Sequence, residues 1–230
     1  MPVAGIYWIN TPLTTPPQNM VPLLADHLGK RHQPLYIGKW SLEHRLLRET
    51  VPSSSGTTTT TTTPPPSNNN PTSQSPQPHQ QIPAGGNYMQ YLELTHHPGK
   101  LIVSTPSAIV TLDREFELLV RSKLSALWSH RQTLRGEGLA YEVDDFKVRI
   151  ANILQGEVWK GVLVEVEYAP CSVLAAAEGV IRGFVEGLGW PTGRFTFSGK
   201  GGGKRVEGEE WSVLDTGRQY CEVLRMGWGG

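Results

Sequence analysis

From Asp113 to Tyr168 the chain carries its longest run of mutually consistent hydrophobic signals. Phe116, Leu119, Val120, Leu124, Leu127 and Trp128 recur at three- and four-residue spacing, which predicts a helix with one apolar stripe. Asp113 is placed to cap its first turn, and Glu115 and Glu117 suit the positive end of the helix dipole. Beyond Trp128 the period changes to two. Segments 132–143, 146–154 and 159–168 alternate, with short polar or Gly-containing turns between them, and predict an antiparallel meander beneath that helix. Leu139, Tyr141 and Val143, then Phe146, Val148 and Ile150, then Val162, Val164, Val166 and Tyr168 point to the core. Lys147, Arg149, Glu165 and Glu167 fall on the opposite face, which this reading leaves in water. Basic and acidic residues on neighbouring strands would pair there, each pair contributing roughly 0.2–1 kcal/mol.

The flanking elements follow the same rules. Residues 3–9 read as a buried strand, 18–32 as a helix with Met20, Leu23, Leu24 and Leu28 on one face, and 34–48 as an extended segment. Short strands are predicted over 88–95, 101–104 and 108–112. After Pro170, Ser172 is the expected N-cap of a helix whose stripe runs from Val173 through Ala177, Ile181, Phe184 and Val185 to Leu188, with Gly189 as its stop. A last helix is predicted from Thr216 to Met226, with Thr216 and Gln219 as a capping box and Tyr220, Val223 and Leu224 as its apolar side. The fold class is α+β, a single domain over 1–230.

One tract breaks the pattern. Residues 51–85 hold seven consecutive threonines, PPPSNNNP and a Ser/Gln/Pro/His stretch, with almost nothing apolar. Such a composition cannot offset its ordering entropy, and the tract is expected to be a disordered insertion within the domain. Closing a loop of that length costs only about 3 kcal/mol plus a constant, so it can sit between two strands of one sheet.

Lys plus Arg and Asp plus Glu both number 21, so the chain is formally neutral. Non-specific nucleic-acid binding depends on positive charge and counterion release, and it is not expected here; nor is sequence-specific DNA binding. Cys171 and Cys221 are the two cysteines, without CxxC spacing, and read as small thiols in a reducing compartment. The N-terminus lacks a secretory pattern and no apolar run approaches the roughly 18 residues that span a bilayer, so a soluble, intracellular protein is expected.

Three motifs invite chemistry. Ser198–Arg205 (SGKGGGKR) lacks the P-loop's upstream Gly and its Ser or Thr after the Lys, and reads as a flexible basic loop. His96 and His97 are adjacent, and on a strand they would point to opposite faces and share no ion. Glu165 and Glu167 share one face of a strand, as in the triphosphate tunnel enzymes, whose Glu-x-Glu-x-Lys pattern resembles this stretch except that Ala169 stands where Lys is needed. A metal-dependent triphosphatase-like β-barrel hydrolase is therefore the alternative to a non-enzymatic role. Trp40 and Trp159, with Tyr220 and Leu224 of the last helix, are the candidate protein-contact residues, against edge packing within the domain. No catalytic residue, cofactor or metal site is predicted.

The chain resembles the Mediator complex subunit 20 family, also described as related to a TATA-binding-protein factor, in a fungal-type form. The resemblance is carried by SKLSALWSHRQ (Ser122–Gln132), by FKVRIANIL followed by WKGVLVEVEY, by VEVEYAPC (Val164–Cys171), by DTGRQYCEVLR (Asp215–Arg225) and by the N-terminal MPVAGIYWI. It implies an antiparallel β-barrel-like sheet with flanking helices, related to the fold of Mediator subunit 18. It also implies a nuclear, non-enzymatic role in the Mediator head module, pairing with subunit 18 near the C-terminal part of subunit 8 and beside the other head-module subunits. Such a subunit would relay regulatory signals to RNA polymerase II and the TATA-binding protein.

Overall fold

The computed structural model describes residues 1–9, 19–50, 87–197 and 208–226. Nine strands form one antiparallel sheet: β1 (Val3–Ile9), β2 (Leu35–Glu49), β3 (Tyr88–Leu94), β4 (Lys100–Ser104), β5 (Ile109–Asp113), β6 (Trp128–Val143), β7 (Phe146–Gln155), β8 (Val158–Tyr168) and β9 (Arg194–Thr196). Their order is β5-β4-β3-β2-β6-β7-β8-β1-β9, so among the described residues the sheet is open between β5 and β9. Among the described residues four helices accompany it: α1 (Met20–Arg31), α2 (Phe116–Lys123), α3 (Leu174–Gly187) and α4 (Val213–Met226). The expected meander is present as β6-β7-β8, with Val148 opposite Val166 and Arg149 opposite Glu165.

The sheet has two buried faces. On the outer face α1 and α3 cover Val148, Ile150, Val162, Val164 and Val166. On the inner face α4 brings Tyr220, Cys221 and Leu224 against Trp40, Leu92, Ile102, Ile153 and Leu163, together with Ile6 and Trp8 of β1. α4 touches β1 and also β4, which stand six strand steps apart in the sheet order. A flat sheet would place those strands roughly 29 Å apart at ~4.8 Å per step, while a helix with its side chains is only about 10–12 Å across. The sheet must therefore curl around α4, which fills the hollow that a closed barrel would enclose.

Several local expectations shift for physical reasons. The helix predicted from 113 to 128 stops at Lys123, because β2 pairs with β6 as far as Glu49↔Trp128 and draws Trp128 into the sheet. α2 does not lie on the meander; its Val120 packs on Leu47, Met89, Tyr91, Leu101 and Val103 of the β2-β3-β4 wing, while Leu118 and Leu119 are exposed. Asp113 ends β5 and caps nothing. α3 begins one residue past the predicted cap: Val173 holds the N-cap position with no side-chain bond, and the Ser172 carbonyl instead accepts the Trp211 N–H at 2.6 Å. The capping box of α4 lies one turn earlier than predicted, with the Asp215 N–H donating to Ser212 Oγ (3.3 Å) and the Ser212 N–H to Asp215 Oδ2 (2.9 Å). Thr216 and Gln219 lie inside the helix and are fully buried.

Residues 51–85, predicted as a disordered insertion, lie outside the described residues, as does Ser198–Arg205. The strands on either side of the first tract pair directly, Arg48 opposite Tyr88, and the Glu49 N–H donates to the Asn87 carbonyl at 2.9 Å. Both cysteines are free thiols; Cys171 packs on the outer-face core and Cys221 on the inner. No described helix is long and apolar enough to cross a membrane.

Close packing of the meander makes a sharp test. A Cβ on Gly138 would stand 1.8 Å from the Ile150 carbonyl oxygen, a backbone atom with no room to retreat. Gly138→Ala is expected to destabilise the fold by about 3 kcal/mol or more. Gly29→Ala on α1, where nothing lies within 4 Å, is expected to stabilise it by about 0.5–1 kcal/mol. Urea denaturation of both variants checks the contrast.

Candidate functional site

Alternation places Arg149, Ala151 and Ile153 of β7 on the inner face, with Leu163, Glu165 and Glu167 of β8 beside them. The sequence reading left this face in water, and the structure overturns that. Glu165 is 0% exposed, and Arg149 and Glu167 are each 7% exposed. The cause is α4, whose apolar side seals the curled sheet over them.

The buried charges are paired as strand register dictates. Arg149 Nη1 donates to Glu165 Oε1 at 2.7 Å and to Glu167 Oε2 at 3.0 Å. The Tyr220 hydroxyl, from α4, donates to the other oxygen of Glu165. The expected cross-strand pairing thus exists in the interior, where its weight is larger. Lys147 lies opposite Glu167 in register, and its ammonium stands 3.9 Å from Glu142.

His96 and His97 sit in the turn between β3 and β4, not on a strand, so the alternation that was to separate them does not apply. Their rings are 4.3 Å apart. Trp40 Nε1–H donates to His96 Nδ1 at 3.0 Å, so the neutral ring carries its proton on Nε2, which stands 3.6 Å from Glu165 Oε2. Burial, above all, pushes His96 down to about 4, although Glu165 pulls the other way. Burial likewise opposes ionisation of Glu165, but Arg149, His96 and the Tyr220 hydroxyl outweigh it and hold the carboxyl below its usual range. Burial and the neighbouring Glu165 charge raise the Tyr220 hydroxyl well above its usual value. At neutral pH Glu165 is ionised beside the Arg149 guanidinium, and His96 and the Tyr220 phenol are neutral.

That arrangement bears directly on chemistry. A dication needs free carboxylate oxygens, and here Arg149 already lies between the two carboxylates. Among the described residues no group of three or more His, Cys, Asp or Glu could hold a metal ion. A cavity of about 540 Å³ lies at the same turn but away from Glu165. Two ion pairs line it, Arg135 with Glu43 at 3.1 Å and Arg114 with Glu93 at 3.4 Å.

The four predicted contact residues fare unequally. Trp40, Tyr220 and Leu224 are 2%, 0% and 0% exposed. Their side chains are committed to the inner core, because α4 turns its apolar side inward and β2 curls over it. They are therefore not available as surface anchors of the folded chain. Trp159 is half-buried at the start of β8 and donates its N–H to Asn152 Oδ1 at 3.2 Å. The sequence reading missed the joint role of Arg149, Tyr220, His96 and Trp40. The available signal was a Tyr in the stripe of an amphipathic helix facing a strand that carries Glu-x-Glu.

The curled sheet, closed by an internal helix whose tyrosine anchors a buried ion-pair cluster, defines an α+β protein whose inner charges satisfy one another. The chain belongs to the Mediator complex subunit 20 family: the family model described as "TATA-binding related factor (TRF) of subunit 20 of Mediator complex" matches residues 1–225. It is similar to Mediator of RNA polymerase II transcription subunit 20 of Schizosaccharomyces pombe, 27% identical over 188 residues, covering 80% of this chain and 76% of that protein. The same-named protein of Yarrowia lipolytica is 27% identical over 205 residues, covering 82% and 85%. Among solved structures, a chain of the Schizosaccharomyces pombe Mediator head module overlaps 80% of this chain and 92% of its own length at 11% identity, with a TM-score of 0.37, too low to argue from.

Two outcomes test the cluster. Arg149→Met leaves two carboxylates buried without a counter-charge and is expected to cost about 3–5 kcal/mol in denaturant unfolding. Acid sensitivity follows from the inner histidines. His44, bonded to Gln90 at 3.0 Å, is pushed by burial from 6.5 down to about 4. The unfolded chain takes up that proton first as the pH falls, so stability is complete above about 6.5 and is lost progressively toward about 4. His44 alone accounts for up to about 3 kcal/mol of that loss. His44→Gln should flatten the stability–pH curve in this window, and an unchanged slope would refute the assignment.

Proposed function

We propose that this chain is a non-enzymatic, nuclear subunit of the Mediator head module, a single domain carrying the 51–85 segment as an insertion. In this reading it pairs with subunit 18, lies near the C-terminal part of subunit 8 and the other head-module subunits, and helps couple regulators, the TATA-binding protein and RNA polymerase II to transcription initiation. The observation that carries it is the family match over residues 1–225. The interior supports it: the acidic pair that would have served a hydrolase is bridged by Arg149, and Tyr220 donates to Glu165. The exposed apolar residues, among them Leu35, Tyr36, Ile37, Leu118 and Leu119, suit a protein that works through contact.

Co-expression with subunit 18 tests the pairing. The two chains are expected to co-elute as a stable heterodimer in gel filtration at micromolar concentration, and separate elution would refute it. The hydrolase alternative predicts manganese-dependent phosphate release from tripolyphosphate that Glu165→Gln abolishes; no release is expected.

A further inference from the structure

α2 covers only part of the wing on which it lies. Val120 packs over β3 and β4, and between the helix and β6 a cavity of about 250 Å³ remains. Leu47, Tyr91, Val120 and Trp128 give it apolar walls. Sites for drug-sized ligands usually hold roughly 300–1,000 Å³, so this one has room for a single ring. The charged groups that line it are already matched. Glu117 Oε1 accepts from Arg45 and, at 3.3 Å, from Arg121, and Arg45 also donates to Glu43. Two arginines thus answer two carboxylates, and nothing here calls for a charged ligand.

Two polar atoms of the wall are left over. Tyr91 is 3% exposed, and its hydroxyl has no hydrogen-bond partner among the described residues. The charges of Glu117 and Arg45 act on that hydroxyl, and both residues line the cavity, which sets the phenol oxygen at its wall. Burial, and then Glu117, push it up to about 12, so at neutral pH it is a donor. Glu117 Oε2 accepts no bond among the described residues. Burying a hydroxyl without a partner is costly, and a bound group that supplies an acceptor removes that cost. One donor and one acceptor in an apolar cavity of one-ring size match a phenol, whose hydroxyl accepts and donates at once. Leu118, 63% exposed, lines an adjoining hollow that shares Arg45, Glu117 and Arg121 with the cavity. A free ring would leave that leucine in water, whereas a polypeptide carrying the ring covers it.

We propose that the cavity between α2 and β6 receives a tyrosine side chain of a partner protein, whose hydroxyl accepts from Tyr91 and donates to Glu117. The ring fills the space between Leu47, Val120 and Trp128, and aliphatic residues beside it on the partner lie over Leu118. The inference rests on the reading of the chain as an interaction subunit, and names one surface and the residue type that surface selects.

Two-dimensional NMR of the full chain tests it, with p-cresol as the tyrosine side-chain probe and toluene as its counterpart without the hydroxyl. Saturable shifts are expected with p-cresol at a Kd on the order of 1 mM, and toluene should bind about tenfold more weakly. Tyr91→Phe removes only the unpartnered hydroxyl, so the thermal midpoint should hold. The same change should weaken p-cresol about fivefold and leave toluene unaffected. A pentapeptide of alanines with one central tyrosine, blocked at both ends, should bind comparably to p-cresol or more tightly. No saturation with p-cresol, or an affinity that Tyr91→Phe leaves unchanged, overturns the proposal. Binding of p-cresol without binding of the peptide would give the cavity to a free phenol and overturn it too. The titrations use the chain alone, so they stand whether or not it co-elutes with subunit 18. Failed co-elution with ligand binding intact refutes the pairing and not the cavity, and the reverse pattern refutes the cavity and not the pairing.

Discussion

The interaction on which the structure turns is the buried pair of Arg149 and Glu165. Neither charge could stay in an apolar interior alone, because desolvating one ion costs several kcal/mol after relaxation. Together, with Glu167 accepting from the same guanidinium and the Tyr220 hydroxyl donating to Glu165, they become tolerable. The cluster also joins elements distant in sequence. Arg149 comes from β7, the carboxylates from β8, the phenol from α4 and the imidazole of His96 from the β3–β4 turn, which Trp40 of β2 holds in one tautomer. A helix that slid or rotated in the hollow would strand a carboxylate without its donor, so the cluster sets the register of α4 within the sheet. Apolar contacts such as Leu224 with its neighbours give that helix its driving force without fixing its position so narrowly.

Much of the fold was legible because strand periodicity is a local signal. Val162, Val164 and Val166 alternate with Glu165 and Glu167, and that alternation alone identifies β8 and its neighbours. That Lys147 and Arg149 share a face with Glu165 and Glu167 on the neighbouring strand was legible for the same reason. What could not be read was the depth of each face. A strand with valines on one side and charges on the other is the pattern of a sheet with one wet side, and only the placement of α4 turns that side into an interior. The helical period through Leu124, Leu127 and Trp128 misled for a related reason: β2 is long enough to recruit Trp128 as a strand residue, a non-local preference that no window of local sequence contains.

The candidate contact residues show the same limit. Aromatic and leucine side chains mark interiors and interfaces alike, and Trp40, Tyr220 and Leu224 answer to the first while the exposed run Leu35–Ile37 went unremarked. That run became informative only once β3 was seen to stop at Leu94, leaving the first half of β2 with no strand on its β3 side among the described residues. The inner cluster and the open edge meet at Arg149, which faces the carboxylates on one side and a cavity beside that edge on the other.

A double-mutant cycle between Glu165 and Tyr220 tests this account most directly. Unfolding free energies of Glu165→Gln, Tyr220→Phe and the double variant would be measured in urea at neutral pH. If the bond between β8 and α4 holds the helix in the hollow, the single changes should each be destabilising and the coupling between them should reach about 1–3 kcal/mol. Additivity within about 0.5 kcal/mol would mean that α4 is held by apolar packing alone, and would contradict the account.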